Sequence, residues 1–187
     1  MAGMTKPASI NAIYNDMRSQ GRKATKDDLY DIADKTCSIF LLYKVTKFDL
    51  SFKKESGALP KYYCVDNGLR QSVLLPGKDD DGILFENVVF LQLLRNLPEG
   101  QKICYYLGNK ECDFVIQTDT DVKQLIQVCW DMKDKDTRER ELGGIREAAG
   151  LTGCKDLTIV TRDSEEDVKD ALGIIHIVPA WKWFLGR

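Results

Sequence analysis

A chain of 187 residues that is 43% hydrophobic and 30% charged has the balance of a folded globular protein, which excludes disordered, fibrous and membrane-embedded classes. One or two domains are expected, burying roughly 70% of the unfolded surface, so the core needs neither disulfides nor a metal. The formal net charge of -2 hides a split, because residues 1–78 carry 13 Lys+Arg against 8 Asp+Glu and residues 79–187 carry 14 against 21. A single histidine, His176, excludes any mechanism that needs two imidazoles. Six cysteines without close pairing, mostly inside apolar runs, read as buried thiols of a reducing cytosol. No apolar run approaches the roughly 20 residues of a membrane span.

In chain order, Ile10, Ile13, Tyr14 and Met17 follow the spacing of an amphipathic helix that stops at Gly21. Thr25 caps a second helix over 25–36, with Asp28 at the capping-box spacing. Residues 39–45, the alternation of Phe48, Leu50 and Phe52, and residues 60–65 read as a hairpin across Ser56-Gly57. Helix, helix, hairpin is the order of a winged helix lacking its opening helix. Asp66 caps a short helix, and residues 76–82, dense in Pro, Gly and Asp, read as a linker. Beyond it the pattern predicts a helix over 83–96, strands over 102–107, 112–118 and 124–130, a crossover helix over 137–149, strands over 157–161 and 174–178, and an aromatic tail. This is an α/β sandwich with a mixed central sheet. The expected division is a partial winged-helix module (1–75), a linker (76–82) and an α/β domain (83–187).

Glu86 is the most informative residue. Val89, Phe90 and Leu93 follow it at i+3, i+4 and i+7, which sets a carboxylate on an apolar stripe where it needs a partner. Simple alternation gives Cys112, Phe114 and Ile116 one strand face and Asp113 the other with Val115, while Leu125, Gln127 and Cys129 share a face of the next strand. Glu86, Asp113 and Gln127 can then converge as an oxygen cluster suited to Mg²⁺.

A helix Glu, then E-C-D-F-V-I, then L-I-Q-V-C-W resembles the PD-(D/E)xK restriction-endonuclease-like core. The segments K-Y-Y-C-V-D-N-G-L at 61–69, L-F-E-N-V-V-F-L-Q-L-L at 84–94, T-R-E-R-E-L at 137–142 and V-P-A-W-K-W-F-L at 178–185 resemble a prokaryotic domain of unknown function found C-terminal to an AAA-type ATPase module. The resemblance implies a truncated winged helix joined to a nuclease-like domain, with an ATPase partner module. No G-x-x-x-x-G-K-[ST] loop occurs in this chain, so ATP binding by that loop is excluded.

The family motif falls on Glu86 and Asp113, but Gln127 stands for the strand Glu and Cys129 for the Lys. These are the catalytic and metal candidates of a degenerate site, and Mg²⁺ is its cofactor if the site is active. A migrated cation would come from Lys133, Arg138 or Arg140. The expected role is a non-catalytic accessory region that binds nucleic acid or the ATPase module. The alternatives are a Mg²⁺-dependent endonuclease with a substituted lysine and a pure protein-interaction domain. For nucleic acid the candidates are Lys44, Lys47, Lys53 and Lys54 on the would-be wing, interleaved with aromatics. The helix over 25–36 carries Asp27, Asp28, Asp31 and Asp34 and opposes a phosphate backbone. Glu139, Arg140 and Glu141 are expected to face solvent, and a Cys129–His176 nucleophile pair is the weakest option.

Overall fold

The computed structural model describes residues 4–50, 58–74 and 80–186. Lys53, Lys54, Phe52 and residues 76–79 of the expected linker lie outside them.

Helix α1 (Ile10–Ser19) starts where the Ser9 hydroxyl accepts from the Ala12 amide, and the chain reverses at Gly21, whose φ of 71° suits a residue without a Cβ. Helix α2 (Lys26–Ser38) begins with the expected capping box. The Thr25 hydroxyl accepts from the Asp28 amide and the Asp28 carboxylate accepts from the Thr25 amide. Strands β1 (Leu42–Lys47) and β2 (Lys61–Cys64) pair antiparallel as expected, with Val45 opposite Lys61 and Tyr43 opposite Tyr63, but the strand ends before Phe48 and Leu50, and the expected turn at Ser56-Gly57 lies outside the described residues. Helix α3 (Asn67–Val73) is capped by Asp66, and α4 (Asp80–Arg95) buries Val89, Phe90 and Leu93.

Strands β3 (Lys102–Leu107), β4 (Glu111–Gln117) and β5 (Val122–Cys129) form an antiparallel meander. Helix α5 (Lys135–Thr152) then crosses over to β6 (Leu157–Thr161), which lies parallel to β5. Strands β7 (Glu166–Asp170) and β8 (Gly173–Pro179) and helix α6 (Ala180–Phe184) complete the described elements. The sheet is mixed and eight-stranded, ordered β2-β1-β3-β4-β5-β6-β8-β7. The hairpin read as a wing belongs to this sheet, because Thr46 and Lys47 pair in parallel with Cys104 and Tyr105 of β3.

Each face of the sheet carries a helix and a core. On one, Leu142, Ile145, Ala148 and Ala149 of α5 pack against Leu125, Cys129, Leu157 and Ile159. On the other, Phe85, Val89, Phe90 and Leu93 of α4 pack against Tyr63, Phe114, Ile126 and Val160. Strand β6, covered on both faces, is buried at all five positions. Both sheet edges are protected. Outside β2, the Ala8 amide donates to the Pro60 carbonyl and the Thr5 amide to the Tyr62 carbonyl. The other edge, β7, reads Glu-Asp-Val-Lys-Asp and its charge discourages further pairing. No described helix is long and apolar enough to cross a membrane.

Candidate functional site

The site lies where β2, β4 and α4 meet, and each side chain arrives there for a local reason. Lys61 and Tyr63 are two residues apart on β2 and share the face toward α4. Tyr63 stacks on Phe90, ring centroids 4.2 Å apart, and Phe90 lies one helical turn beyond Glu86. The Tyr63 hydroxyl therefore reaches Glu86 Oε1 and donates to it at 2.7 Å. Asn87 fixes the end of β2 against α4. Its Oδ1 accepts from the Cys64 amide, and its Nδ2 donates to the Cys64 carbonyl and to Asn67 Oδ1, each at 2.9 Å.

Strand β4 supplies its carboxylates through a bulge. Cys104 pairs with Val115 and Tyr106 with Cys112, so β4 spends three residues where β3 spends two. The strict alternation expected from the sequence fails at this point. Cys112 and Val115 join the α5 core, Phe114 and Ile116 join the α4 core, and Asp113 sits beside Phe114 on the α4 side with Glu86.

Lys61 is the centre of the cluster. Its side chain is 1% exposed, and Nζ lies 3.3 Å from Glu86 Oε1 and 3.4 Å from Asp113 Oδ1 and is ion-paired with Glu111. Nζ is also 5.3 Å from the Tyr105 ring centroid. Burial would lower the ammonium's pKa, but attraction from Glu86, Asp113 and Glu111 outweighs it and holds Lys61 well above the usual lysine range. Burial raises the Glu86 carboxyl, with Lys61 and Tyr63 pulling the other way. Burial and the neighbouring Glu86 push Asp113 well above the carboxylate range, against Lys61 and the Val128 amide.

The expected trio of Glu86, Asp113 and Gln127 is only partly brought together. Glu86 and Asp113 converge on Lys61, whereas Gln127 lies on the α5 side. Its Oε1 accepts from the Asp113 amide at 3.1 Å and its Nε2 donates to Glu141 Oε2 at 2.5 Å. The Asp113 carboxylate in turn accepts from the Val128 amide at 2.9 Å. These side-chain bonds continue the β4–β5 pairing beyond Phe114 and Ile126, the last ladder pair toward the site. Among the described residues no group of three or more His, Cys, Asp or Glu is placed to hold a metal ion. The donors as arranged do not fit Mg²⁺: an ammonium stands between the carboxylates, and the Gln127 amide is committed at both ends.

The other candidates separate as well. Cys129, at the motif lysine position, donates to the Asp131 carbonyl, and burial together with Glu141 pushes its thiol up to about 12. Of the cations proposed as substitutes, only Arg140 borders the cleft that holds Asp113. Arg138 pairs with Glu166 and Arg140 with Glu141, each at 2.8 Å or less, and the Lys133 ammonium acts on the Asp163 carboxyl. Glu141, expected in solvent, is buried because it bridges Gln127 and Arg140. His176 pairs with Asp167 across β7 and β8, with two strand steps separating β8 from the β5 strand of Cys129. Lys44 is exposed and lies close enough to Cys37 of α2 to act on its thiol, whereas Val45 joins the α4 core. Lys44 therefore occupies the sheet face opposite the carboxylates, and Lys47 is half-buried.

The sequence places Lys61 and Tyr63 only within the hairpin strand over 60–65, sets Glu141 in solvent and gives Glu111 no role. Period-two alternation within K-Y-Y was the available signal, since a lysine two residues before a buried tyrosine shares its face. The cluster opens into a cleft of about 850 Å³ that is also lined by Lys6, Lys110, Trp130 and Arg140.

The chain is similar to an uncharacterized protein of Methanocaldococcus jannaschii, 29% identical over 95% of this chain and 40% of that protein. It is also similar to an uncharacterized protein of Haemophilus influenzae, 24% identical over 89% of this chain and 40% of that protein. The chain spans about two-fifths of the length of the curated relatives it matches. No family model and no solved structure matches it.

Proposed function

We propose that this chain is the accessory region, C-terminal to the ATPase module, of an AAA-type ATPase protein. In this reading it is a PD-(D/E)xK nuclease-like domain that does not cleave phosphodiesters and serves in binding, of nucleic acid or of the ATPase module. The observation that carries it is the Lys61 ammonium between Glu86, Glu111 and Asp113. A metal-dependent nuclease needs those oxygens for a divalent cation that activates water and neutralises the phosphate. Here one internal cation takes them, the motif's strand carboxylate is an engaged amide, and the motif's lysine is a thiol with a raised pKa. Alignment with about two-fifths of longer relatives supports an accessory region, and in this reading α1, α2, β1 and β2 are the truncated winged helix, its hairpin joined to the sheet of the α/β domain.

A second reading, a Mg²⁺-dependent endonuclease, has one observation in its favour. Lys61 Nζ lies within 3.4 Å of both Glu86 and Asp113, so it supplies the cation that Cys129 does not. Incubation of the purified protein with single- and double-stranded DNA and RNA in Mg²⁺ or Mn²⁺ decides between them. The proposed role predicts intact substrate under every condition. Cleavage that disappears in Asp113→Asn establishes the second reading instead.

A further inference from the structure

The junction of α1 and α2 gathers charge that neither the carboxylate cleft nor the hairpin uses. From residue 18 to residue 26 the sequence holds Arg18, Arg22, Lys23 and Lys26 and no acid. The reversal at Gly21 brings the first turn of α2 beside α1, and the two helices border a shallow, open concavity of about 400 Å³ lined by Tyr14, Arg18, Arg22, Lys23, Thr25 and Asp28. Two cations are gathered on one ring. The Arg18 guanidinium carbon is 5.8 Å and Lys26 Nζ 5.6 Å from the Tyr14 ring centroid. Cation–π attraction offsets part of the repulsion of holding them together. None of the four basic residues shares an ion pair with a described residue.

Of the acids nearby, Asp27 is exposed in the first turn of α2 and subtracts from the basic charge, whereas Asp28, Asp31 and Asp16 have internal partners. Asp28 accepts from both the amide and the hydroxyl of Thr25, and these bonds hold its carboxyl below the usual range. Asp31 pairs with Lys35 at 2.6 Å and Asp16 accepts from Gln20. The capping box occupies the α2 N-terminus, so the attraction for anions comes from the side chains.

We propose that this concavity binds the phosphate backbone of a nucleic-acid strand, with Arg18, Arg22, Lys23 and Lys26 on successive phosphates. Its lining of cations around one tyrosine ring, with no aliphatic side chain larger than that of Ala24, suits a strand better than a lipid surface, which would ask for apolar side chains projecting from the basic face. The proposal rests on the binding role above but fails separately, because cleavage assays read the carboxylate cleft and say nothing of this junction.

The test is a fluorescence-anisotropy titration of the full chain with a labelled single strand of about 20 nucleotides over a range of salt. Each neutralised phosphate contributes about 0.7 to the slope of log K against log salt, so four contacts weaken binding roughly 50-fold between about 50 and about 200 mM salt. Arg22 and Lys23 are exposed, and R22A/K23A should leave the circular dichroism spectrum unchanged while lowering the slope by about 1.4. K44A/K47A should bind as wild type does. The proposal is overturned by salt-insensitive or absent binding, by an unchanged slope in R22A/K23A, or by loss of binding in K44A/K47A. Binding to anionic phosphatidylserine vesicles without binding to the strand also overturns it.

Discussion

Lys61→Met keeps the buried stem and removes the ammonium, which leaves Glu86 and Asp113 facing each other without a cation. Breaking a buried ion cluster in this way costs about 3–5 kcal/mol, so urea unfolding at neutral pH should show a loss of that size. The pH dependence has a definite sign. Burial raises the folded-state values of Glu86 and Asp113. Their ionisation therefore costs nothing below the ordinary carboxylate range and costs progressively more as pH rises toward the folded values. The Lys61→Met deficit should shrink between about pH 7 and about pH 4, because the bare carboxyls take up protons there. Lysine's own contribution stays constant across that window, since its raised value lies far above it. A deficit that is flat with pH would contradict the ionised cluster. Asn87→Ala acts through a different term. It strands the buried amide and carbonyl of Cys64, at about 1–3 kcal/mol for each group left unpaired, and the loss should be insensitive to pH.

At the scale of elements, the site depends on how closely α5 approaches β4. A Cβ at Gly144 would collide with the Glu111 carbonyl, and Glu111 is an ion partner of Lys61. Gly144→Ala must push the helix away from the strand, which costs about 1–3 kcal/mol or more. Chemical denaturation checks the size, and lost amide hydrogen-exchange protection in β4 would show where the strain goes. Elements were also the scale at which the sequence was most legible. The capping box at Thr25, the Asp66 cap, strands β3 and β6 and the apolar stripe after Glu86 follow from local pattern alone. Strand β7 was not legible, because Glu-Asp-Val-Lys-Asp has no apolar alternation and forms by pairing with β8. The bulge in β4 was hidden for a similar reason. Which face Asp113 takes is set by its register against β3, a property of two strands that neither shows alone. Lys61 was missed because a lysine near a predicted hairpin reads as a solvated edge charge. Its burial is tertiary, created when β1 pairs with β3 and α4 covers the hairpin.

Across the whole molecule, the unlike charge of the two halves takes on a physical meaning. The acidic second half supplies Glu86, Glu111 and Asp113, and the basic first half supplies Lys61, so the carboxylate cluster is held by a cation from the other end of the chain. Among the described residues, Arg18, Arg22, Lys23 and Lys26 at the α1–α2 junction and Lys44 and Lys47 on β1 carry much of the remaining basic charge of the first half, while Lys6 borders the cleft. In the proposed role, internal charge pairing occupies the cleft carboxylates and the surface serves in binding. That pairing is tested most directly by a Mn²⁺ titration of the wild-type protein, with free Mn²⁺ read by electron paramagnetic resonance at neutral pH. The prediction is no saturable site, with free Mn²⁺ following the total through the millimolar range. A saturating one-to-one isotherm that Asp113→Asn abolishes would show that a metal displaces Lys61 from the carboxylates, and would contradict the account.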